Sequence, residues 1–92
     1  GTFELISIYP NPSRDYIQYL ITSQDGGAIT VKVLDVLGQA VLQQEEKIGA
    51  GTIQMKLSTA HLSNGSYFLQ IISPKQEKQQ QQFVIEWISN NQ

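Results

Sequence analysis

The sequence contains no cysteine, which excludes disulfides, thiolate zinc sites and cysteine nucleophiles and leaves stability to packing and hydrogen bonding. Charge is sparse as well. Six Lys and Arg against eight Asp and Glu give a net charge of −2, and the basic residues stand singly. The electrostatic footprint of a protein that grips nucleic acid or anionic lipid is therefore missing. No apolar stretch approaches the roughly 20 residues of a membrane-spanning helix, and no basic-then-apolar leader opens the chain. The start at Gly1-Thr2 without Met points to a domain excised from something larger. Catalytic candidates are few. His61 is the one histidine and has no acidic neighbour in sequence, which reads as a surface side chain rather than a general base or metal ligand. Glu45 and Glu46 are adjacent in an extended run, so they point to opposite faces, do not form a carboxylate pair and are expected to be solvated. A glycine-rich phosphate loop and a nucleophile elbow are lacking too. We expect no enzyme, no cofactor and no small-molecule substrate; calcium at Asp25 or Asp35 is the one ion site left open.

What the chain does have is glutamine and a hydrophobic period of two. Thirteen Gln supply uncharged polar surface in place of charge, and 92 residues at 40% hydrophobic suffice for one compact core but not a second. Alternation predicts strands at Leu5–Tyr9, Tyr16–Ile21, Ile29–Val33, Ala40–Glu46, Ile53–Leu57, Tyr67–Ile72 and Gln82–Ile88, the third and fourth forming a hairpin. Pro10-Asn11-Pro12, Asp25-Gly26-Gly27, Asp35–Gly38, Gly49-Ala50-Gly51, Asn64-Gly65 and Ser73–Glu77 supply the breaks. Ser58–Leu62 is expected to make one helical turn capped by Ser58, and Gln79–Gln82 to be an extended lead-in to the last strand, with an exposed pairing edge as the alternative. These spacings predict an all-β, immunoglobulin-like antiparallel β-sandwich of about seven strands, although the Cys-Trp-Cys framework of true immunoglobulin domains is missing. The expected domain is 1–92, with a core of about 4–88 and a polar tail over 89–92. Ile29, Val31, Val33, Ile53, Met55, Leu57, Tyr67, Leu69 and Ile71 are expected to face the core.

Three short stretches carry more than period. Ile8-Tyr9-Pro10-Asn11-Pro12-Ser13, followed by Asp15, closes the first strand; Val33-Leu34-Asp35-Val36-Leu37-Gly38-Gln39 runs a strand into a turn; Leu62-Ser63-Asn64-Gly65-Ser66-Tyr67 opens a strand. In this order, across nearly the whole chain, they resemble the boxes of the type A C-terminal sorting domain of type IX secretion cargo. The family-motif positions are Tyr9, Pro10, Asn11, Pro12, Asp15, Asp35, Gly38, Gln39, Leu62, Gly65 and Tyr67. The resemblance implies a sorting signal for a larger cargo protein fused on its N-terminal side. Its implied partners are an outer-membrane type IX translocon and a sortase-like protease, and its implied destination is the surface or exterior of a Gram-negative cell, reached through the periplasm. The family usually ends in a basic segment, whereas Glu86 to Gln92 is acidic to neutral.

Each box also has a purely physical reading. Pro10 and Pro12 stiffen a corner and Asn11 can bond its own backbone there; Asp35 can accept N–H bonds across its turn, and Gly38 can take positive φ. Tyr67 can bury its ring while its hydroxyl finds a partner, as in a tyrosine corner. An alternative to sorting is an adhesion or glycan-binding module, which requires a row of exposed rings; Tyr16, Phe68 and Trp87 are the candidates.

Overall fold

The computed structural model describes residues 2–88; the expected tail, Ser89–Gln92, lies outside them. Seven strands follow in order: β1 (Phe3–Tyr9), β2 (Tyr16–Ser23), β3 (Gly27–Leu34), β4 (Ala40–Ile48), β5 (Gly51–Ser58), β6 (Gly65–Ile72) and β7 (Lys78–Ile85). They form two antiparallel sheets, β1-β2-β5 and β4-β3-β6-β7, so the expected all-β sandwich is the observed fold. Its order is immunoglobulin-like, with the second strand pairing the fifth and the third pairing the sixth.

The alternation read from the sequence selects the faces. Ile17, Tyr19 and Ile21 of β2 and Ile29, Val31 and Val33 of β3 point inward and are buried, as are Leu57, Tyr67, Leu69, Ile71, Phe83 and Ile85. Tyr67 and Phe83 stack across β6 and β7 with ring centroids 5.9 Å apart. β1 departs from strict alternation: its register against β2 shifts between Leu5 and Ser7, a bulge that lets Leu5 and Ile8, three apart, both reach the core. Ile53 and Met55 pack on the core as expected but stay half-buried, because β5 is an edge strand.

Three expectations are corrected. Ser58–Leu62 is no helical turn: Leu62 N–H donates to the Thr59 carbonyl at 3.0 Å, closing a β-turn, and the described residues contain no helix. The last strand is Lys78–Ile85 rather than Gln82–Ile88. The glutamines belong to its ladder, Gln79 to Gln82 lying opposite Ile71 to Phe68, since Gln at an edge retains water on its outer side while its backbone pairs with β6. Glu46 is not freely solvated: the β4 pleat turns it inward, half-buried, where Gln44 Nε2 donates to its carboxylate at 2.9 Å.

Candidate functional site

All three motif stretches lie at one end of the sandwich. β1, β3, β5 and β7 end there, and β2, β4 and β6 begin there, as the pairings Tyr16 with Ser58, Leu34 with Ala40 and Phe68, and Gly65 with Ile85 require. Tyr9, Pro10, Asn11, Pro12, Asp15, Asp35, Gly38, Gln39, Leu62, Gly65 and Tyr67 thus share one pole, although they span residues 9 to 67.

The first motif works across the molecule, not within its own turn. Asn11 Oδ1 accepts the Val84 N–H at 3.0 Å, in place of the expected local bond. Ser13, buried, donates its N–H to the Val84 carbonyl at 2.8 Å and accepts the Glu86 N–H at 2.9 Å, forming a parallel bridge to Ile85. The Ser13 hydroxyl donates to the Pro10 carbonyl. Asp15 contributes its carbonyl, which accepts the Thr59 N–H at 2.8 Å, and the buried Thr59 hydroxyl donates to the Arg14 carbonyl. Backbone groups that the end of β7 would leave unpaired are satisfied this way.

The second motif is a self-contained turn. Asp35 N–H donates to Gln39 O and Gly38 N–H to Asp35 O, each at 2.9 Å. Asp35 Oδ1 accepts both Leu37 N–H and Gln39 N–H at 2.9 Å. Gly38 sits at φ 83°, the left-handed residue that closes a three-residue hairpin loop. Asp35 therefore spends its carboxylate on the backbone, and among the described residues no group of three or more His, Cys, Asp or Glu could hold a metal ion.

The third motif is a tyrosine corner. Tyr67 OH donates to the Ser63 carbonyl at 2.8 Å, four residues upstream. Leu62, half-buried, offers its carbonyl to the Trp87 indole N–H at 2.8 Å, and Asn64 Oδ1 accepts the Trp87 backbone N–H at 2.7 Å. Ser13, Thr59, Asn64 and Trp87 thus belong to the pole although they were not among the motif positions. Ser13 and Asn64 stand inside the motif stretches and Trp87 among the candidate rings, but the bonds that bring them here reach 23 to 73 residues along the chain, which no local pattern reveals. His61 is exposed at the same end.

The aromatic candidates do not form a row. Tyr16 is on the outer face of the three-stranded sheet with Lys56 Nζ 4.4 Å from its ring centroid, Phe68 is on the outer face of the other sheet, and Trp87 is half-buried with its N–H engaged. Rings on opposite faces offer no stacking platform for a glycan.

Compared with known families, the sequence matches the secretion system C-terminal sorting domain over residues 7–86. The chain belongs to this family. A search of curated proteins found no match. The sorting domain is a C-terminal signal for type IX secretion, a tag rather than a catalytic unit, and it implies a cargo protein, the type IX machinery and export to the surface or exterior of a Gram-negative cell. The matched span contains all three motifs and ends at Glu86, where the first motif grips the chain after β7.

Proposed function

We propose that the folded domain crosses the periplasm with its cargo, is read at an outer-membrane type IX translocon, and is cut off there by a sortase-like protease. The supporting observation is the gathering of the family-motif positions at one pole, held by bonds between segments distant in sequence. Such an end exists only in the folded domain, so the address is a tertiary surface rather than a linear peptide. The removal step needs the folded domain to be an independent unit, and 1–92 is taken as that unit. Fusing Gly1–Gln92 behind a periplasmic reporter in a type IX-competent strain tests the reading. The expected result is a reporter at the cell surface, shortened by the mass of the domain. A folded reporter left in the periplasm, while a control sorting domain exports it, overturns the proposal; a surface reporter that keeps the domain overturns the cleavage step alone.

A further inference from the structure

We infer that the uncovered half of the β7 edge, Lys78 to Gln82, pairs antiparallel with the same edge of a second copy of this chain, an inference that does not depend on the function proposed above. β7 is the last strand of its sheet, so the backbone groups on its outer side meet no neighbouring strand. Val84 shows which groups these are. Its N–H donates to Asn11 and its carbonyl accepts from Ser13, both away from β6. Backbone groups alternate sides along an antiparallel strand, so those of Lys78, Gln80 and Gln82 point the same way. The first motif takes the edge at Val84 and Glu86 only. Gln81 points to the core side, as Phe83 and Ile85 do, yet is exposed, so the neighbouring sheet does not cover this half either. The edge lacks the usual guards: it has no proline, no bulge against β6 and no charge from Gln79 to Ile85, the longest uncharged run on any of the four edge strands. By contrast β1 is bulged, β4 carries Glu45, Glu46 and Lys47, and β5 carries Lys56 over Tyr16.

Register and side chains select the occupant. Pairing two copies about Gln80 sets Gln80 opposite Gln80 and Lys78 opposite Gln82, so every free outward group on each copy finds a partner. A two-fold axis moved towards Lys78 sets Gln82 against the Ser73–Glu77 turn, and one moved towards Gln82 sets Lys78 against Val84 or Glu86, which the first motif holds. Only the register about Gln80 pairs all three residues. In it Gln79 faces Gln81, and because each amide has both donor and acceptor, Gln matches Gln. The sheet already contains this contact: Gln70 Nε2 donates to Gln80 Oε1 at 3.1 Å across β6 and β7, and the second copy prolongs that row of amides. A strand of another protein satisfies the backbone alone unless it carries the same side chains in the same register. A membrane is disfavoured, since Lys78 to Gln82 offers no apolar side chain and would take unpaired backbone groups into hydrocarbon. One strand pair is small for a permanent dimer, so the association is weak and concentration-dependent.

In sedimentation equilibrium from about 10 μM to about 1 mM, the wild-type mass is expected to rise from monomer towards dimer. Gln80→Lys and Gln80→Glu, which set like charges opposite each other, each weaken the dimer about fivefold or more, and an equal mixture of the two restores it. Both replace an exposed side chain, so the melting midpoint stays unchanged. The chain has no cysteine, so Gln80→Cys supplies its one thiol. Residues that exchange both bonds across the axis lie about 5.5 Å apart at Cα, within disulfide reach, and mild oxidation is expected to give a covalent dimer. Gln82→Cys, whose two copies the register holds about 14 Å apart, forms one about tenfold more slowly. If a charge variant melts early, the two cysteine variants decide. A wild-type chain that stays monomeric at about 1 mM overturns the second copy, whichever foreign strand the edge then takes. Dimerisation that neither charge variant weakens overturns the assignment to β7. A mixture that does not recover, or a disulfide that forms as fast at 82 as at 80, overturns the register about Gln80.

Discussion

The two poles of this sandwich are closed in different ways. At the motif pole, Asn11, Ser13, Thr59 and Asn64 join segments that lie far apart in sequence. At the opposite pole the bonds are mostly local: Ser73 Oγ accepts the N–H groups of Lys75 and Glu77 at 3.2 and 3.0 Å, and Ser23 Oγ accepts that of Gly26 at 3.0 Å. The lesson is that the first family motif encodes closure between the sheets and the third prolongs the β6–β7 pairing, whereas ordinary turns need no motif. Asp35–Gln39 is the exception, a local turn inside the motif pole whose side chains face solvent.

The largest expected effect comes from the waist that both poles share. Leu69→Ala removes a fully buried side chain and is expected to cost about 2–5 kcal/mol in denaturant titration. A cost under about 1 kcal/mol would show that the core faces are misassigned.

The waist also holds the one buried side-chain polar atom that lacks a hydrogen-bond partner among the described residues. Tyr19 OH is buried without a hydrogen-bond partner, and burial, with the Glu46 carboxylate as a smaller second cause, pushes its pKa up to about 12. The unfolded value is about 10, so the unfolded state releases its proton first and binds fewer protons between these limits. The associated stability is fully present below about pH 10 and is lost as pH rises towards 12, by about 2–3 kcal/mol. Tyr19→Phe is expected to lose less stability than wild type between pH 9 and 11.5 and to be no less stable at pH 7, the orphan hydroxyl being gone. Equal alkaline losses in the two proteins would refute this account.

Glycine substitutions sharpen the contrast between poles. Gly26 has φ +72°, and a Cβ there would meet Ile48 O at 2.8 Å and the Gly49 carbonyl carbon at 2.9 Å; Gly38 has φ +83° with nothing within 4 Å. Gly26→Ala is expected to cost about 2–3 kcal/mol and Gly38→Ala about 1 kcal/mol, because only the first adds a backbone clash to the left-handed strain. Thermal melts giving the reverse order would show the motif turn to be the tighter of the two.

The smallest effect in energy is the most direct test of the comparison. Asn11→Ala and Ser73→Ala each remove side-chain acceptors and are expected to cost about 1 kcal/mol apiece. Hydrogen exchange separates them. Asn11→Ala is expected to deprotect Val84, 73 residues away, whereas Ser73→Ala deprotects only Lys75 and Glu77. Local deprotection in both would erase the difference between the poles.

The sequence by itself determined the faces of β2, β3, β5 and β6, the turn positions and the family, because hydrophobic period, proline and glycine backbone limits and short motifs are all local properties. Asp35 illustrates this: its partners are two and four residues away, and its role as a turn acceptor was legible. Asn11 shows the limit. Its oxygen has a choice of donors, and the one it takes, 73 residues on, becomes available only when β7 is placed beside the first corner. The tertiary structure decided between lead-in and edge strand for Gln79–Gln82, and it alone decided that Ile53 and Met55 stay half-covered and that the motif positions meet at one pole. The physical reason is that burial and hydrogen-bond satisfaction depend on which strand lies next to which, and that order is set by the fit of both sheets together.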